Sequence, residues 1–398
     1  MVAPPSTRTI DLDHASTRVP GPTRVALVHD WLVQPAGSEA VLQELVRLFP
    51  AADCFCLIDA LSPANRTRLG VGHPRTTWLQ WLPGVRRYYR ALLPFMPHAI
   101  EQLDLSAYDL VLSSSHAVAK GVRPRPGALH LCYCHSPMRY AWDLESTYLE
   151  EHGMAGGVTG WLTRQLLRRV RQWDAESSGR VSAFMANSAF VAQRIARVYG
   201  RPSTVIHPPV DTTFYTPCAT TPRGPHFVTA SRLVGYKRVH AIVEAFRQLP
   251  EQQLVVIGDG PDRGRVMAAA GPNVTMLGRV DNDRLRHELR RARAFLFAAE
   301  EDFGILPVEA QACGTPVIAL GRGGALETVT SATGRFFGEA TPDAIAAAVR
   351  DFLSEPPPRA DACRANTERF SVGHFHAAIS SYVADQWIQH ATGRTHPV

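Results

Sequence analysis

Short apolar runs alternate along the chain with longer segments in which apolar residues recur every three or four positions. The short runs are rich in Val, Ile and Leu, as in buried strands, whereas the longer segments have the period of amphipathic helices. This alternation is typical of a parallel sheet with helices on both faces, so we predict an α/β protein. In the first half, the predicted strands are 24–29, 53–58, 109–114, 129–134, 183–186 and 204–207.

A pair of prolines divides this pattern near the middle of the chain. Pro208 and Pro209 can neither continue a strand nor enter a helix interior, and a polar stretch follows at 216–225. Beyond it, we predict strands at 227–230, 254–257, 274–277, 294–298 and 316–319, followed by helices at 341–353, 359–367 and 372–388.

The length of 398 residues exceeds that of a usual domain, so the interruption indicates a domain boundary. We predict two doubly wound, Rossmann-like domains that face each other, with a ligand cleft at the carboxyl ends of their strands. The predicted segments are a loose tail at 1–22, an N-terminal domain at 23–205, a C-terminal domain at 206–370, and a crossing helix and tail at 371–398.

Composition excludes several classes of protein. With 45% hydrophobic and 20% charged residues, the chain is an ordinary globular protein. Its apolar segments are interrupted before the roughly 20 residues that a bilayer span needs, and we expect no secretory signal. The odd count of seven cysteines favours reduced thiols in the cytoplasm. Cys132, Cys134 and His135 lack a second ligand pair at any usual zinc spacing, so we predict no metal site.

The formal charge of +6 is concentrated in the first half of the chain. Segment 161–173 carries four arginines among leucines and tryptophans, which predicts a basic amphipathic helix. Such a helix can lie on an anionic membrane, or it can be an ordinary surface helix with one face in the core. No nucleic-acid-binding motif is present, so we do not expect a nucleic-acid partner.

Three loops that follow predicted strands contain residues suited to binding anions and hydroxyls. Gly37 precedes a predicted helix and would allow a backbone amide to approach an anion. Arg232 offers a planar guanidinium that can bind two phosphate oxygens at once. Lys237 offers a compact charge, and it is one of only two lysines in a chain that has 40 arginines. The pair would neutralise much of a pyrophosphate.

The third loop combines free helix amides with carboxylates. Glu301 lies in the loop, and Glu309 lies eight residues later, beyond the first helical turn, where capping cannot explain it. Carboxylates suit the paired hydroxyls of a ribose or hexose. The first helix amides could bind phosphate or sugar oxygens, and they belong to Gly304, Ile305 and Leu306.

These motifs resemble those of the retaining glycosyltransferases of family 4, which have the GT-B fold. The resemblance rests on the pattern E-x7-E within F-G-I-L-P-V-E-A and A-C-G-T-P-V-I-A, preceded by S-R-L-x3-K, and it extends from Arg24 onwards. It implies that Arg232 and Lys237 hold the donor's diphosphate, Glu309 its ribose diol, and Glu301 the hydroxyls of the transferred sugar. It also implies donor contacts through the amides of Gly37, Gly304, Ile305 and Leu306, and an active-site role for His135.

The implied reaction is transfer of a hexose from a nucleoside diphosphate sugar with retention of configuration. The segments H-S-P-M-R-Y-A-W-D, from His135, and H-D-W-L, from His29, are similar to those of mannosyltransferases that use GDP-mannose in surface polysaccharide assembly. The implied partners are the nucleotide sugar, a glycan or polyprenyl-diphosphate-linked glycan, and the inner membrane surface, reached by a cytoplasmic protein through segment 161–173. No cofactor is implied, because the nucleotide sugar is a substrate.

Three alternatives remain open. A UDP-hexose could be the donor, with the same site. Another GT-B reaction, such as that of an epimerase or phosphorylase, would keep the cleft without the combined cation and carboxylate set. A non-catalytic sugar-nucleotide-binding scaffold would bind the donor without turnover.

Overall fold

The computed structural model describes residues 21–34, 37–142, 157–218, 220 and 222–393. The chain divides into two compact units. Unit 1 consists of residues 1–186, 194–204 and 376–398, and unit 2 consists of residues 187–193 and 205–375. The predicted loose tail lies outside the described residues, apart from its last two positions.

The first sheet is doubly wound. Its order is β3-β2-β1-β4-β5-β6-β7, and pairing is parallel from β3 through β6. The order reverses between β1 and β4, which is where such sheets bind ligands. The strands are β1 Val25–His29, β2 Asp53–Cys56, β3 Arg75–Thr76, β4 Leu110–Ser115, β5 Leu129–Cys134, β6 Ala183–Ala186 and β7 Ser203–Val205.

Helices cover this sheet and bury their apolar faces against it. In α2, Ser62 caps the first turn, Pro63 occupies the start and Gly70 ends the helix in the left-handed region. The helices are α1 Gly37–Leu48, α2 Pro63–Leu69, α3 Val85–Tyr88, α4 Met96–Glu101, α5 Arg139–Trp142, α6 Gly157–Ser177 and α7 Ala189–Tyr199. Short 3-10 turns lie at Trp78–Trp81, Tyr89–Leu92, Ala119–Gly121 and Ser178–Arg180.

The second sheet repeats the arrangement with the order β10-β9-β8-β11-β12-β13, and all its neighbouring strands are parallel. Its order reverses between β8 and β11. The strands are β8 Phe227–Ala230, β9 Leu254–Ile257, β10 Val274–Gly278, β11 Phe295–Phe297, β12 Val317–Leu320 and β13 Gly334–Phe337.

The remaining helices pack on this second sheet or close the chain. They are α8 Val239–Ala245, α9 Arg263–Ala269, α10 Asn282–Arg291, α11 Ile305–Ala312, α12 Ala325–Thr328, α13 Pro342–Ser354, α14 Ala360–Asn366 and α15 Val372–Ala391. Further 3-10 turns lie at Gly235–Lys237, Phe246–Gln248 and Glu368–Phe370.

The two parallel sheets confirm the prediction of an α/β protein with two Rossmann-like folds. Each predicted strand overlaps an observed one, and the basic segment 161–173 lies within α6. Two strands were not predicted: β3 is only two residues long, and β13 begins with a Gly-Arg pair, so neither shows an apolar run. No helix in the described part of the chain is both long and apolar enough to span a bilayer.

Candidate functional site

The carboxyl ends of β8 and β11 hold the predicted cations and carboxylates of unit 2. Arg232 follows β8 and is exposed, whereas Lys237 closes the 3-10 turn of the same loop and is half-buried. Glu301 follows β11, and its Oε1 contacts the Lys237 Nζ in a close ion pair. The pair therefore joins the two loops at the point where the strand order reverses.

Two glycines after β9 shape the loop that carries Arg232. A Cβ on Gly258 would lie 1.8 Å from the Ser231 carbonyl oxygen, and one on Gly260 would lie 2.2 Å from the Leu233 oxygen. No side chain fits at such distances. The segment Gly-Asp-Gly, too short for a dinucleotide fingerprint, thus supports the loop after β8.

A second glycine pair supports the loop that carries Glu301. The Gly324 amide donates to the Glu301 carbonyl oxygen at 2.8 Å. A Cβ on Gly323 would lie 2.5 Å from that same oxygen, and one on Gly324 would lie 2.3 Å from the Phe303 Cα. Sequence analysis missed this pair, although the run Gly-Arg-Gly-Gly directly after β12 was a readable signal of close backbone packing.

The start of α11 presents backbone amides. Gly304 precedes the helix with φ of 87°, a conformation that favours glycine, and no side-chain hydrogen bond caps the first turn. The positive end of the helix therefore offers the amides of Gly304, Ile305 and Leu306 to an anion or hydroxyl. Phe303 fixes the entry to the helix by packing in a buried cluster with Val210, Val308 and Phe370.

Glu309 lies one turn further along α11 and is half-buried. Burial raises the pKa of its carboxyl to about 7, and the nearby Asp211 carboxylate adds to this rise. A hydrogen bond from Tyr215 opposes the shift in the pKa. Glu309 can therefore be protonated or ionised near neutral pH, unlike an ordinary glutamate.

Unit 1 holds His135 directly after β5, within a group of polar side chains from neighbouring strands. The Ser114 Oγ, on β4, lies 2.8 Å from the His135 Nε2 and 3.1 Å from the His29 Nδ1, on β1. Glu39, in the first turn of α1, places its Oε1 3.8 Å from the His29 Nε2. Except for His135, which is half-buried, these side chains are 5% exposed or less.

Asp30 organises the loop after β4. Its carboxylate accepts hydrogen bonds of 2.6 to 3.0 Å from four consecutive amides, and one of its oxygens lies 3.0 Å from the His116 Nδ1. The four amides satisfy a wholly buried carboxylate that would otherwise be costly. They belong to His116, Ala117, Val118 and Ala119.

The environment disfavours a positive charge on His135 and on His116. Burial lowers the pKa of His135 well below the usual histidine value, and the nearby His116 and His29 lower it further. Burial also lowers the pKa of His116. Burial alone would raise the pKa of Glu39, but His29, His116 and the Ser38 hydroxyl together hold it below the usual value.

The predicted site residues are divided between the two units. Arg232, Lys237, Glu301, the α11 amides and Glu309 all lie in unit 2, whereas Gly37 and His135 lie in unit 1. Gly37 is the first residue of α1, and the two residues before it lie outside the described residues. Sequence analysis did not single out Ser114, His116 or Asp30.

Cys132 and Cys134 are free thiols. Cys132 and Cys134 are buried in β5, where burial raises the pKa of the Cys134 thiol well above its usual value. Within the described ranges, no group of three or more His, Cys, Asp or Glu side chains is placed to hold a metal ion.

Two family models match this chain. The model for glycosyl transferases group 1 matches residues 220–370, and the model for glycosyltransferase family 4 matches residues 35–214. Between them, the two models span most of both units.

Curated relatives with similar sequences include a GDP-mannose-dependent monoacylated alpha-(1-6)-phosphatidylinositol monomannoside mannosyltransferase of Corynebacterium glutamicum. It is 29% identical over 238 residues, which are 52% of this chain and 61% of that protein. A glycogen synthase of Mycobacterium tuberculosis is 26% identical over 259 residues, which are 61% of this chain and 63% of that protein. The chain thus spans about three fifths of the length of these relatives.

A solved structure with a similar fold is that of the Anabaena protein HepE in complex with UDP. It has a TM-score of 0.66 and 17% sequence identity, and the match covers 91% of this chain and all of HepE. A further structure of HepE contains UDP-glucose. At this identity the likeness shows the fold alone.

Proposed function

This chain belongs to glycosyltransferase family 4, and we propose that it transfers a hexose from a nucleoside diphosphate donor to an acceptor hydroxyl with retention of anomeric configuration. The observation that carries the proposal is the Lys237–Glu301 pair beside the uncapped start of α11. It combines a cation, a carboxylate and free amides, which are the groups that a sugar diphosphate requires.

Stabilising the leaving group is the main physical task in this reaction. As the bond between the sugar and the diphosphate breaks, negative charge grows on the diphosphate and the sugar gains oxocarbenium character. In this proposal, Arg232, Lys237 and the α11 amides stabilise the growing negative charge. Because two cations perform this task, we propose that the reaction needs no metal ion.

The carboxylates have separate roles in this proposal. Glu301 accepts hydrogen bonds from hydroxyls of the transferred sugar, and Glu309 accepts them from the ribose diol. In unit 1, Gly37 contributes a backbone amide to donor binding, and His135 takes part in the transfer step.

We propose mannose from GDP-mannose as the donor. The corynebacterial mannosyltransferase, similar over about half of this chain, supports this choice. A UDP-hexose is the second candidate, because HepE, which has a similar fold, is found in complexes with UDP and with UDP-glucose. Both donors present the same diphosphate and ribose to unit 2; they differ in the base, and a UDP-hexose can also differ in the transferred sugar.

We propose that the acceptor is a glycan or a lipid-linked glycan reached at an anionic membrane surface. In α6, the buried side chains Leu167 and Val170 face the core, while Trp161 and Leu162 are more than half exposed. Arg168 lies on the exposed side of the same helix. Exposed apolar residues beside arginine suit shallow insertion among anionic headgroups. The free thiols favour the cytoplasmic side.

Thermal unfolding with nucleotides tests the donor assignment. A ligand present at about 100 times its Kd adds about 2.7 kcal/mol of stability, which raises the Tm by several degrees. We expect GDP and GDP-mannose, each near ~1 mM, to raise the Tm more than UDP, ADP and their sugar conjugates do. A rise in Tm with UDP alone would assign a UDP-hexose as the donor in place of GDP-mannose. No rise with any nucleotide would overturn the donor site in unit 2.

Turnover separates an enzyme from a binding scaffold. We expect the protein to release GDP from GDP-mannose when a lipid-linked glycan is added, and to form a product whose anomeric configuration is retained. Donor binding without turnover across a panel of such acceptors would favour the scaffold.

A further inference from the structure

Three side chains on adjacent strands of unit 1 form a continuous hydrogen-bonded chain. Across the parallel pair β1 and β4, His29 is the register partner of Ser114, which places the His29 Nδ1 3.1 Å from the Ser114 Oγ. The same oxygen lies 2.8 Å from the Nε2 of His135 at the end of β5. The ring of His135 is thus connected to His29 through a single buried hydroxyl.

That hydroxyl can point in only one direction at a time. A serine has one proton to donate and can also accept, so Ser114 donates to one ring and accepts from the other. If Ser114 donates to His29, then His135 must carry a proton on Nε2. If Ser114 donates to His135, then His135 must carry its proton on Nδ1 instead. The His135 Nδ1 is therefore an acceptor when Ser114 donates to His29, and a donor when Ser114 donates to His135.

Glu39 decides between the two directions when His29 is neutral. Its Oε1 lies 3.8 Å from the His29 Nε2, a buried nitrogen with no hydrogen-bond partner among the described residues. The pKa of Glu39 is held below its usual value, so Glu39 is ionised at neutral pH. A ring proton on the Nε2 faces this negative charge favourably, whereas a lone pair there would be repelled by it.

We propose that Glu39, His29 and Ser114 are positioning residues that hold His135 as the tautomer with its proton on Nε2. The Nδ1 of His135, which has no hydrogen-bond partner among the described residues, then accepts a hydrogen bond from a substrate hydroxyl. This inference rests on the proposed role of His135 in sugar transfer. It goes further because it specifies which ring nitrogen acts and that the nitrogen acts as an acceptor.

The other titratable side chains near His135 are compatible with a neutral His135 ring. His116, whose ring centroid lies 6.2 Å away, has one nitrogen 3.0 Å from the Asp30 carboxylate, and Asp30 is already satisfied by four amides. The Tyr133 ring contacts His135 at 5.2 Å between centroids. Neither residue occupies the His135 Nε2, which remains with Ser114.

Nitrogen NMR of the full chain labelled with 15N-histidine tests the tautomer without any substrate. At pH 8.5, above the usual histidine pKa of about 6.5, we expect the His135 Nε2 to show a protonated shift and the Nδ1 an unprotonated one. We expect Glu39→Gln to populate both tautomers and Glu39→Asp to restore the first. We call the connected side chains Glu39, His29, Ser114 and His135 the relay. A proton on the His135 Nδ1 in the parent would overturn the relay, and so would a Glu39→Gln protein that keeps the tautomer of the parent.

Kinetics with a matched serine variant test whether the relay serves transfer. We expect Ser114→Ala to lower kcat by about 10- to 100-fold, the range seen when a metal-binding histidine loses the hydrogen-bond partner that orients its ring, with little change in donor KM. Ser113→Ala is the control, because Ser113 lies on the same strand and bonds the unrelated buried His130 at 2.9 Å.

The two results separate the relay from the proposed function. Equal kcat in Ser114→Ala and Ser113→Ala would show that the relay is not used in transfer, whatever the tautomer. The expected tautomer in a protein that binds no nucleotide would leave the relay intact and overturn the donor assignment alone. Circular dichroism of each variant identifies loss of folding.

Discussion

The only two lysines of the chain lie in contrasting surroundings, one in each unit. Lys120 is 1% exposed, and its Nζ lies 2.8 Å from an Asp174 carboxylate oxygen and 2.9 Å from the Ser177 Oγ. Lys237 lies in a loop at the carboxyl edge of the second sheet, with Glu301 as its ion-pair partner. The first lysine is enclosed by protein groups, whereas the second remains accessible.

This difference separates a structural cation from one that can bind a ligand. Lys120 also lies over the rings of Trp173 and Tyr199, so every part of its ammonium group has a protein partner. Lys237 has 14% of its side chain exposed, near the exposed Arg232 loop and the α11 amides. The comparison predicts that losing Lys120 affects stability, and that losing Lys237 affects turnover.

The largest expected effect is that of Lys120→Met on stability. Removing one partner of a buried ion pair leaves an uncompensated charge, here on Asp174, and costs about 3 to 5 kcal/mol. Urea unfolding measures this loss in the free energy of unfolding. The double variant Lys120→Met, Asp174→Asn should recover part of it, because no buried charge then remains. A Lys120→Met protein as stable as the parent would contradict the structural role.

Lys237→Met should leave stability nearly unchanged and slow transfer. Loss of one group that stabilises charge in the transition state costs about 10²- to 10³-fold in kcat. The control is Arg350→Met, which removes an exposed cation from α13 of the same unit. Steady-state rates that fall equally in both variants would show that net charge, and not the position of Lys237, is responsible.

Glu309 couples stability to pH in the direction opposite to an ordinary ion-paired carboxylate. Its pKa is about 7 in the folded protein, and its ordinary value of 4.5 applies to the unfolded chain. The contribution of Glu309 to the free energy of unfolding is therefore complete below pH 4.5 and is lost as the pH rises through 7. The loss amounts to roughly 3 kcal/mol. We therefore expect the stability of the parent relative to Glu309→Gln to fall by up to this amount between pH 5 and pH 8.

The same carboxylate should strengthen donor binding as the pH rises. Ionised Glu309 accepts charged hydrogen bonds from the ribose diol, so Glu309→Ala should weaken nucleotide binding by about 1.5 to 3 kcal/mol at pH 8. Titration calorimetry at pH 6 and pH 8 measures this difference. A Glu309→Ala protein that is folded and binds GDP as tightly as the parent would remove Glu309 from the donor site.

The smallest expected effect is at the exposed face of α6. Trp161→Ser should weaken binding to vesicles that contain anionic lipid by about 1.5 kcal/mol, roughly tenfold, since burying such a side chain contributes at least that much. Met267→Ser, which removes an exposed apolar side chain from α9 in unit 2, is the control. Equal vesicle binding by both variants would leave α6 as an ordinary surface helix.

Sequence patterns were sufficient to predict the fold because buried parallel strands are short, continuous apolar runs. The observed bounds of β5, Leu129–Cys134, and of β8, Phe227–Ala230, are the same as the predicted ones. The two strands that were missed, β3 and β13, have no such run. Their positions depend on pairing with a neighbour, which is a tertiary effect that no local pattern contains.

The candidate site divides in the same way. Arg232, Lys237, Glu301 and Glu309 were identified because they lie in one motif with fixed spacing, and their roles remain predictions. The contact of Ser114 with His29 depends on strand register across 85 residues, which the sequence does not display. Polar residues at the ends of two predicted strands, in H-D and S-S-S-H, were the available signal.

The central claim is that unit 2 binds the diphosphate of a nucleotide sugar through Lys237 and its neighbours. The most direct test is the Kd of GDP, measured by titration calorimetry for the parent and for Lys237→Met under identical salt. We expect the variant to bind at least about tenfold more weakly, which corresponds to about 1.4 kcal/mol. Equal Kd values in two folded proteins would contradict the claim.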